Sequence, residues 1–363
     1  MVKVFAPGKL LIAGEWAVLE GNPAVVAAVD AGVDAKVESC KDGFIHITIK
    51  EYGINDLACR IEEKKIRYTR ILTKEEKGSL KILESAILAS SEYIGQLKPF
   101  NIATEGKETT IIKDNKAQKI GFGSSAAATV STIAAILKVH GIKYNPEILF
   151  KLAAVSHFSA QGKLGSGVDI AASSFGGLLG YIRFDDAWLK KKIELLPIKE
   201  LIEVSWPGLK ISPLDIPPEI ILAVGWTTHP CSTSEMIQKM NNWKTKEPKK
   251  YSKVMKEIGL VSEEVMRAIQ ANDKPRIINS INRNGALLDR LSDESKVPIA
   301  TPELRTLAEV AQSYKLAGKL SGAGGGDIGF ALGFEKEVIE KVKTEWIEKG
   351  IIPVKAEISK KQN

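Results

Sequence analysis

The residues in this chain whose types and spacing could do chemistry fall in three glycine-rich segments far apart in the sequence, with a lysine and an aspartate beside them. The segments are Pro7-Gly8-Lys9 running into Gly14-Glu15, Gly121-Phe122-Gly123-Ser124-Ser125, and Ser321-Gly322-Ala323-Gly324-Gly325-Gly326-Asp327. The middle one opens a long alanine-rich stretch. A glycine loop that feeds a helix leaves backbone N–H groups pointing outward, and the helix dipole favours negative charge there. Glycines let the backbone approach a polyphosphate closely, and serine hydroxyls can reach a phosphate oxygen or Mg²⁺. Lys9 could reach a phosphoryl group as a point charge. The Gly162–Asp169 stretch is a further glycine-rich loop entering a helix, with Asp169 just inside it. Together these point to a nucleotide or a phosphorylated metabolite. Each also has a plainer reading: a capped helix after a tight turn, an exposed lysine at a strand end, an aspartate starting a helix.

The remaining patterns exclude several classes. No Gly-Lys pair is followed by Ser or Thr, so a P-loop is absent. Gly324, Gly326 and Gly329 spell G-x-G-x-x-G, but Ile328–Leu332 after it reads as a strand, whereas a dinucleotide site must open a helix. The histidines His46, His140, His157 and His229 are scattered, which argues against a metal cluster or a nucleophilic triad. Cys40, Cys59 and Cys231 have no C-x-x-C spacing, which suits a reducing compartment and argues against a zinc site or disulfide framework. The net charge of +7 comes with only 6% aromatic residues and no basic run interleaved with them. That reads as a lysine-rich solvated surface or a cleft attracting anions, not a nucleic-acid partner. No apolar run reaches membrane-spanning length, and the first residues lead straight into a motif, so the expectation is a cytoplasmic protein without a signal peptide or membrane partner.

These residues need elements to hold them. Val2–Phe5, Ala24–Ala31, Val33–Val37 and the alternating Phe44–Ile49 predict a β-rich opening. Leu80–Tyr93 has helical spacing, and Ile111–Asn115 is a strand leading to a turn. Ser124–His140 is the best helix in the chain, with Ser124 or Ser125 as cap and Gly141 as stop. Asn145–Phe158 and Gly167–Phe175 are helices, followed by the strand Leu178–Phe184. Trp188–Pro218, rich in lysine, proline and tryptophan, reads as a connection between lobes. Beyond it, strands at Ile220–Trp226, Gly329–Gly333 and Ile351–Glu357 alternate with helices at 234–242, 253–271, 274–291, 302–314 and 336–349. The polar tail Ser359–Asn363 is expected to fray. Two domains are expected, 1–190 and 191–363, with helices on an antiparallel sheet in the second.

In order and separation the three glycine segments resemble the motifs of the GHMP small-molecule kinase superfamily, and the resemblance spans nearly the whole chain. It implies an α+β fold of two lobes: an N-terminal β-rich α/β lobe like ribosomal S5 domain 2, and a C-terminal ferredoxin-like α+β lobe, with the active site between them. Three features look like the branch that phosphorylates 5-phosphomevalonate: Gly324-Gly325-Gly326-Asp327, the stretch His157–Ala171, and the run Val224–Thr227 through Ser232–Met236. The resemblance implies ATP as co-substrate, 5-phosphomevalonate as acceptor and Mg²⁺ as cofactor. Carried over by position, Lys9 and Asp169 are the catalytic pair. Gly121, Gly123, Ser124, Ser125 and Ala126 would bind ATP phosphates, with Ser125 the Mg²⁺ contact. Lys119, Ser166, Thr233, Ser234, Gly322, Ala323 and Gly324 would contact the substrate. One departure stands out: Phe158 occupies the position, eleven residues before Asp169, where mevalonate kinases carry a Mg²⁺-binding glutamate.

Overall fold

The structure, a computed structural model, describes residues 1–113, 116–162, 165–228 and 233–362; the side chains of residues 112, 113, 116, 117, 233 and 234 also lie outside that description. The first lobe begins with β1 (Val2–Ala13), a 3₁₀ turn at Ala17–Glu20, β2 (Ala24–Ser39), β3 (Ile45–Ile49), β4 (Ile54–Glu62) and β5 (Lys65–Tyr68). Helix α1 (Lys74–Ile94), β6 (Phe100–Lys107) and the hairpin β7 (Thr110–Lys113) and β8 (Lys116–Lys119) follow. Then come α2 (Ser124–Val139), α3 (Pro146–Gln161), α4 (Val168–Phe175), β9 (Leu178–Ile182), α5 (Asp186–Leu195), α6 (Ile198–Glu203) and β10 (Lys210–Leu214).

Among the described residues these strands make an eight-stranded sheet in the order β10-β9-β2-β6-β3-β4-β5, with β1 also on β2. The long β2 is its axis. β1 runs antiparallel to it, with Lys9 opposite Ala28 and a register shift between Pro7 and Gly8. A shift at that point re-aims the side chains that follow, Lys9 among them. Helix α2 is apolar almost all round and buried from Ala126 to Leu137 except for a partly exposed Ala128. Such a helix must be covered on every side: the sheet covers one face, and α1 and α3 the other. The hydroxyls of Ser124 and Ser125 do not cap it, contrary to expectation. Gly123 is the N-cap in a left-handed conformation at φ 76°, and no side chain makes a capping hydrogen bond. Asn145 does cap α3, accepting from the Ile148 N–H at 2.8 Å, with Pro146 in the first turn.

The second lobe contains β11 (Ile221–Trp226), α7 (Thr233–Lys246), α8 (Pro248–Gln270), α9 (Lys274–Ser295), α10 (Pro302–Ser313), β12 (Ala317–Leu320), β13 (Ile328–Gly333), α11 (Lys336–Glu348) and β14 (Ile352–Val354). Its antiparallel sheet has the order β12-β13-β11-β14. The architecture is therefore mixed α+β in two lobes.

Two expectations need correction. Trp188–Pro218 is not a bare connection: it carries α5, α6 and β10, and β10 pairs with β9 from Lys210 opposite Ile182 to Leu214 opposite Leu178. The first sheet thus continues past residue 190, and sheet membership changes between β10 and β11. The tail is not frayed either. Ser359 N–H donates to Ala28 O at 2.8 Å, and Gln362 N–H to Phe175 O at 2.7 Å. Isolated bridges join Val29 to Ile358 and Gly176 to Lys361. Backbone groups left open by the Gly176-Gly177 turn provide the attachment, so polarity of the side chains was a poor guide. Asn363 lies outside the described residues.

Candidate active site

The three glycine segments meet in a cleft of about 500 Å³ between the lobes. β1 contributes Lys9, α2 contributes Ser125, α3 contributes His157, α4 contributes Asp169, and the β12–β13 turn contributes Gly322 and Ala323. Ser166, Phe158 and Ile237 also line it.

Lys9 is fixed from both ends. Its N–H donates to Phe122 O at 2.7 Å, and its ammonium donates to Gly121 O at 2.7 Å. Lys9 and Asp169 flank Gly123: a Cβ built there would lie 3.3 Å from Lys9 Cγ and 3.5 Å from Asp169 Cβ. Only glycine combines that close approach with a φ of 76°. Burial pushes the Lys9 ammonium below its usual range, while Asp327, Asp169 and Glu15 oppose the shift. The carboxylates keep the buried ammonium protonated, and its desolvation strengthens the attraction it can offer a phosphate.

Two helices present their N-termini to this cleft. At the start of α2 the Ala126 and Ala127 N–H groups bond back to Gly123 O at 3.1 and 3.2 Å, so Ser124 and Ser125 carry the N–H groups that no turn consumes. The start of α4 lies at Gly167 and Asp169, both in the lining. At the start of α4 the Val168 N–H is 3.4 Å from Ser166 Oγ and the Ile170 N–H donates to Asp169 Oδ1 at 2.9 Å, so the Asp169 carboxylate offsets the dipole of that end, and the open phosphate donors are Lys9 and the start of α2. Helix α4 is tied to β1 by the Ser173 hydroxyl, which donates to Pro7 O at 2.7 Å. The Tyr181 hydroxyl donates to Ser166 O at 2.6 Å and holds the loop that precedes α4.

Below the cleft lies an arrangement that sequence reasoning missed. Glu15 and Lys319 form an ion pair with side chains 0% and 1% exposed, and Lys319 also donates to Leu320 O at 2.7 Å. Burial raises the Glu15 carboxyl and lowers the Lys319 ammonium, each shift being opposed by the partner. The pair joins the first glycine segment to β12. Next to it, Trp16 adopts φ 63°, costly for a bulky residue. The Ser321 hydroxyl makes a second tie, accepting from Leu11 N–H at 2.9 Å and donating to Leu11 O at 3.0 Å.

Asp327 makes the third. It sits under Gly121, where an added Cβ would lie 2.0 Å from its Oδ2. Burial raises its carboxyl, opposed by Lys9, the Gly121 N–H and Trp226. A further missed group is His157, whose Nε2 is 3.3 Å from Ser125 Oγ and 3.0 Å from Gln161 Nε2. The Gln161 amide nitrogen can only donate, so that ring nitrogen accepts. His157 and Gln161 are four apart on α3, a same-face spacing that could have flagged them.

Several expected residues sit elsewhere. Lys119 is exposed at the end of β8, its ammonium 2.7 Å from the Tyr52 hydroxyl and over that ring, outside the cleft lining. Ala126 is fully buried and its N–H is already bonded. Gly324 packs on the Ile299 carbonyl, where a Cβ would lie 2.1 Å away, and is not in the lining. Thr233 and Ser234 open α7, whose Ile237 reaches the cleft, but their side chains lie outside the described residues, as do His229–Ser232 and Lys163-Leu164. Among the described residues no helix is long and apolar enough to cross a membrane.

Residues 81–177 match the GHMP kinases N terminal domain, and residues 265–352 match GHMP kinases C terminal. A phosphomevalonate kinase from a Streptomyces species is 29% identical over 362 residues, covering 96% of this chain and 95% of its own. A mevalonate kinase from Thermococcus sibiricus is 28% identical over 362 residues, covering 98% and 95%. The solved structure of Streptococcus pneumoniae phosphomevalonate kinase in complex with phosphomevalonate and AMPPNP aligns with a TM-score of 0.82 at 26% identity, over 98% of this chain and 99% of that one.

Proposed function

Because the chain belongs to the GHMP kinases, we propose that it transfers the γ-phosphoryl group of ATP to the phosphate of 5-phosphomevalonate, giving 5-diphosphomevalonate and ADP in the mevalonate route to isoprenoids. The observation that carries this reading is the convergence of Lys9, Asp169 and the open N-terminus of α2 on one cleft that the loop before α4 and the β12–β13 turn also line.

The acceptor oxygen belongs to a phosphomonoester, whose second pKa of about 6 leaves it mostly dianionic at neutral pH. No strong base is then required. The harder task is to bring two anions together in line. Lys9 stabilises charge on the transferring group, and its hydrogen bond to Gly121 O aims it. Asp169 stands across Gly123 from Lys9 and holds its ammonium by charge. The free N–H groups at the start of α2 take a nucleotide phosphate, and Ser166, in the loop before α4, contacts the acceptor. The Ser125 hydroxyl and Asp169 carboxylate are hard oxygen donors in the same cleft, a set that suits Mg²⁺. When bound, that ion would neutralise charge on the nucleotide phosphates.

Mevalonate itself is the second acceptor to consider, since a mevalonate kinase is nearly as similar. The cleft-lining Phe158 argues against it, an apolar ring standing where the resemblance places a metal-binding glutamate. A coupled ADP-release assay with mevalonate, 5-phosphomevalonate and 5-diphosphomevalonate tests the reading. Turnover is expected with 5-phosphomevalonate alone. Faster turnover with mevalonate, or CO₂ release from the diphosphate, would overturn it.

A further inference from the structure

The loop from β2 to β3 gathers three metal-ligating side chains well away from the cleft. Cys40, Asp42 and His46 each present a ligand atom within 4.8 Å of the other two. Cys40 follows the end of β2, twelve residues beyond Ala28, the partner of Lys9. At ~3.3 Å per residue that is roughly 40 Å along the strand. The group therefore plays no part in the phosphate site.

We propose that Cys40, Asp42 and His46 form a binding site for a zinc-type divalent transition ion, with water completing the shell. The donor set is one sulfur, one imidazole nitrogen and one carboxylate oxygen, which suits a borderline ion such as Zn²⁺ and excludes Mg²⁺. Of two separations, one already lies in the range zinc needs and the other is a shorter hydrogen bond that the ion would open. Zinc bonds of about 2.0–2.3 Å in a tetrahedron place ligand atoms ~3.3–3.8 Å apart. His46 Nε2 and Asp42 Oδ2 are 2.6 Å apart, and Cys40 Sγ is 3.4 Å from Asp42 Oδ1. Small rotations admit the ion, which displaces the proton shared between His46 and Asp42 and the Cys40 thiol proton, both released to water.

A separate observation points the same way. The other ring nitrogen, His46 Nδ1, is 2.8 Å from Asp56 Oδ1 on β4. A carboxylate at that nitrogen fixes the proton there and turns Nε2 toward the ligand position, the outer-shell partner that metal-bound histidines characteristically have. The loop is also set in place. Cys40 N–H donates to Pro99 O at 3.1 Å, and Phe44 N–H to Asp42 Oδ1 at 3.0 Å. Arg60 lies over the Phe44 ring at 3.9 Å and donates to Gly43 O at 3.2 Å. The competing arrangement is a protonated His46 clamped by two carboxylates with no metal. Cys59 offers no rival ligand, since it is fully buried among the core side chains of the sheet.

The test uses the full chain, stripped with a chelator and titrated with Zn²⁺ against a chromophoric zinc indicator in millimolar Mg²⁺. One equivalent should bind. His46→Ala and Cys40→Ser should each weaken binding at least ~100-fold, and Asp56→Asn, which removes no ligand, ~10–100-fold. Co²⁺ should give a thiolate-to-cobalt charge-transfer band that Cys40→Ser abolishes. Thermal melts without metal should be unchanged for Cys40→Ser, which keeps shape at a half-exposed position. The proposal is overturned if no stoichiometric Zn²⁺ binds, if the variants bind like the parent, or if the cobalt band is missing.

Discussion

Replacing Lys319 by Met probes the buried pair beneath the cleft. Two unit charges ~3 Å apart at an effective dielectric constant of ~20 attract by roughly 5 kcal/mol, while removing each ion from water costs several kcal/mol. Glu15 is raised and Lys319 lowered in spite of their attraction, so desolvation dominates for both. In the Lys319→Met variant, Glu15 is left without its partner, and protonation becomes its escape. That escape costs ~1.4 kcal/mol per pH unit above the ordinary carboxyl value of 4.5. The loss in stability is thereby capped at roughly 5 kcal/mol at pH 8 and below ~1 kcal/mol at pH 5, with Lys9 nearby softening the upper figure. The sign follows from the raised carboxyl: its contribution is complete below the unfolded value and falls away as pH rises toward the folded one. Adding Glu15→Gln removes the stranded charge, so the double variant should recover to within ~1–2 kcal/mol of the parent and lose the pH dependence. Urea unfolding of all four members of the cycle at pH 5, 6.5 and 8 supplies the measurement. A deficit that does not change with pH, or a double variant as unstable as Lys319→Met, would refute the reasoning.

Lys9→Met should lower kcat by ~10²–10³ in the ADP-release assay, and Asp169→Asn by less; equal losses would contradict the holding role given to Asp169. Gly121→Ala should destabilise by ~1–3 kcal/mol, because its Cβ would meet Asp327 Oδ2. Asp327→Ala in the same chain should recover part of that melting temperature, and no recovery would mean the clash lies elsewhere. Removing residues 357–363 should speed amide exchange in α4 and leave α10 unchanged, since the tail bonds to Phe175 and Ala28; uniform exchange across both helices would count against a local tie.

What the sequence disclosed was local. The three glycine segments, α2 and α4 follow from glycine placement, alanine content and helix boundaries, all readable within a short window. Pairings across the chain left no such trace. Glu15 and Lys319 are 304 residues apart, and neither neighbourhood marks the other. Asp327 looked like the end of a motif and proves to be the floor under Gly121. Serine at position 124 or 125 suggests a cap because serine usually caps, yet a left-handed Gly123 takes that position and leaves Ser125 beside His157. Lysine-rich α5 and the short α6 hid in a stretch whose prolines and tryptophans suggested a linker. Its β10 is recognisable only through its pairing with β9. The C-terminal tail failed for the same reason: its stability comes from backbone partners hundreds of residues upstream.

That tail sets an order of events during synthesis. The helix carrying Asp169 gains the backbone bond from Gln362 to Phe175 only once everything between those two residues has been translated. The amino-terminal half emerges first but cannot finish alone. Until Lys361 arrives, the Gly176-Gly177 edge lacks the strand-like partner it has in the folded protein.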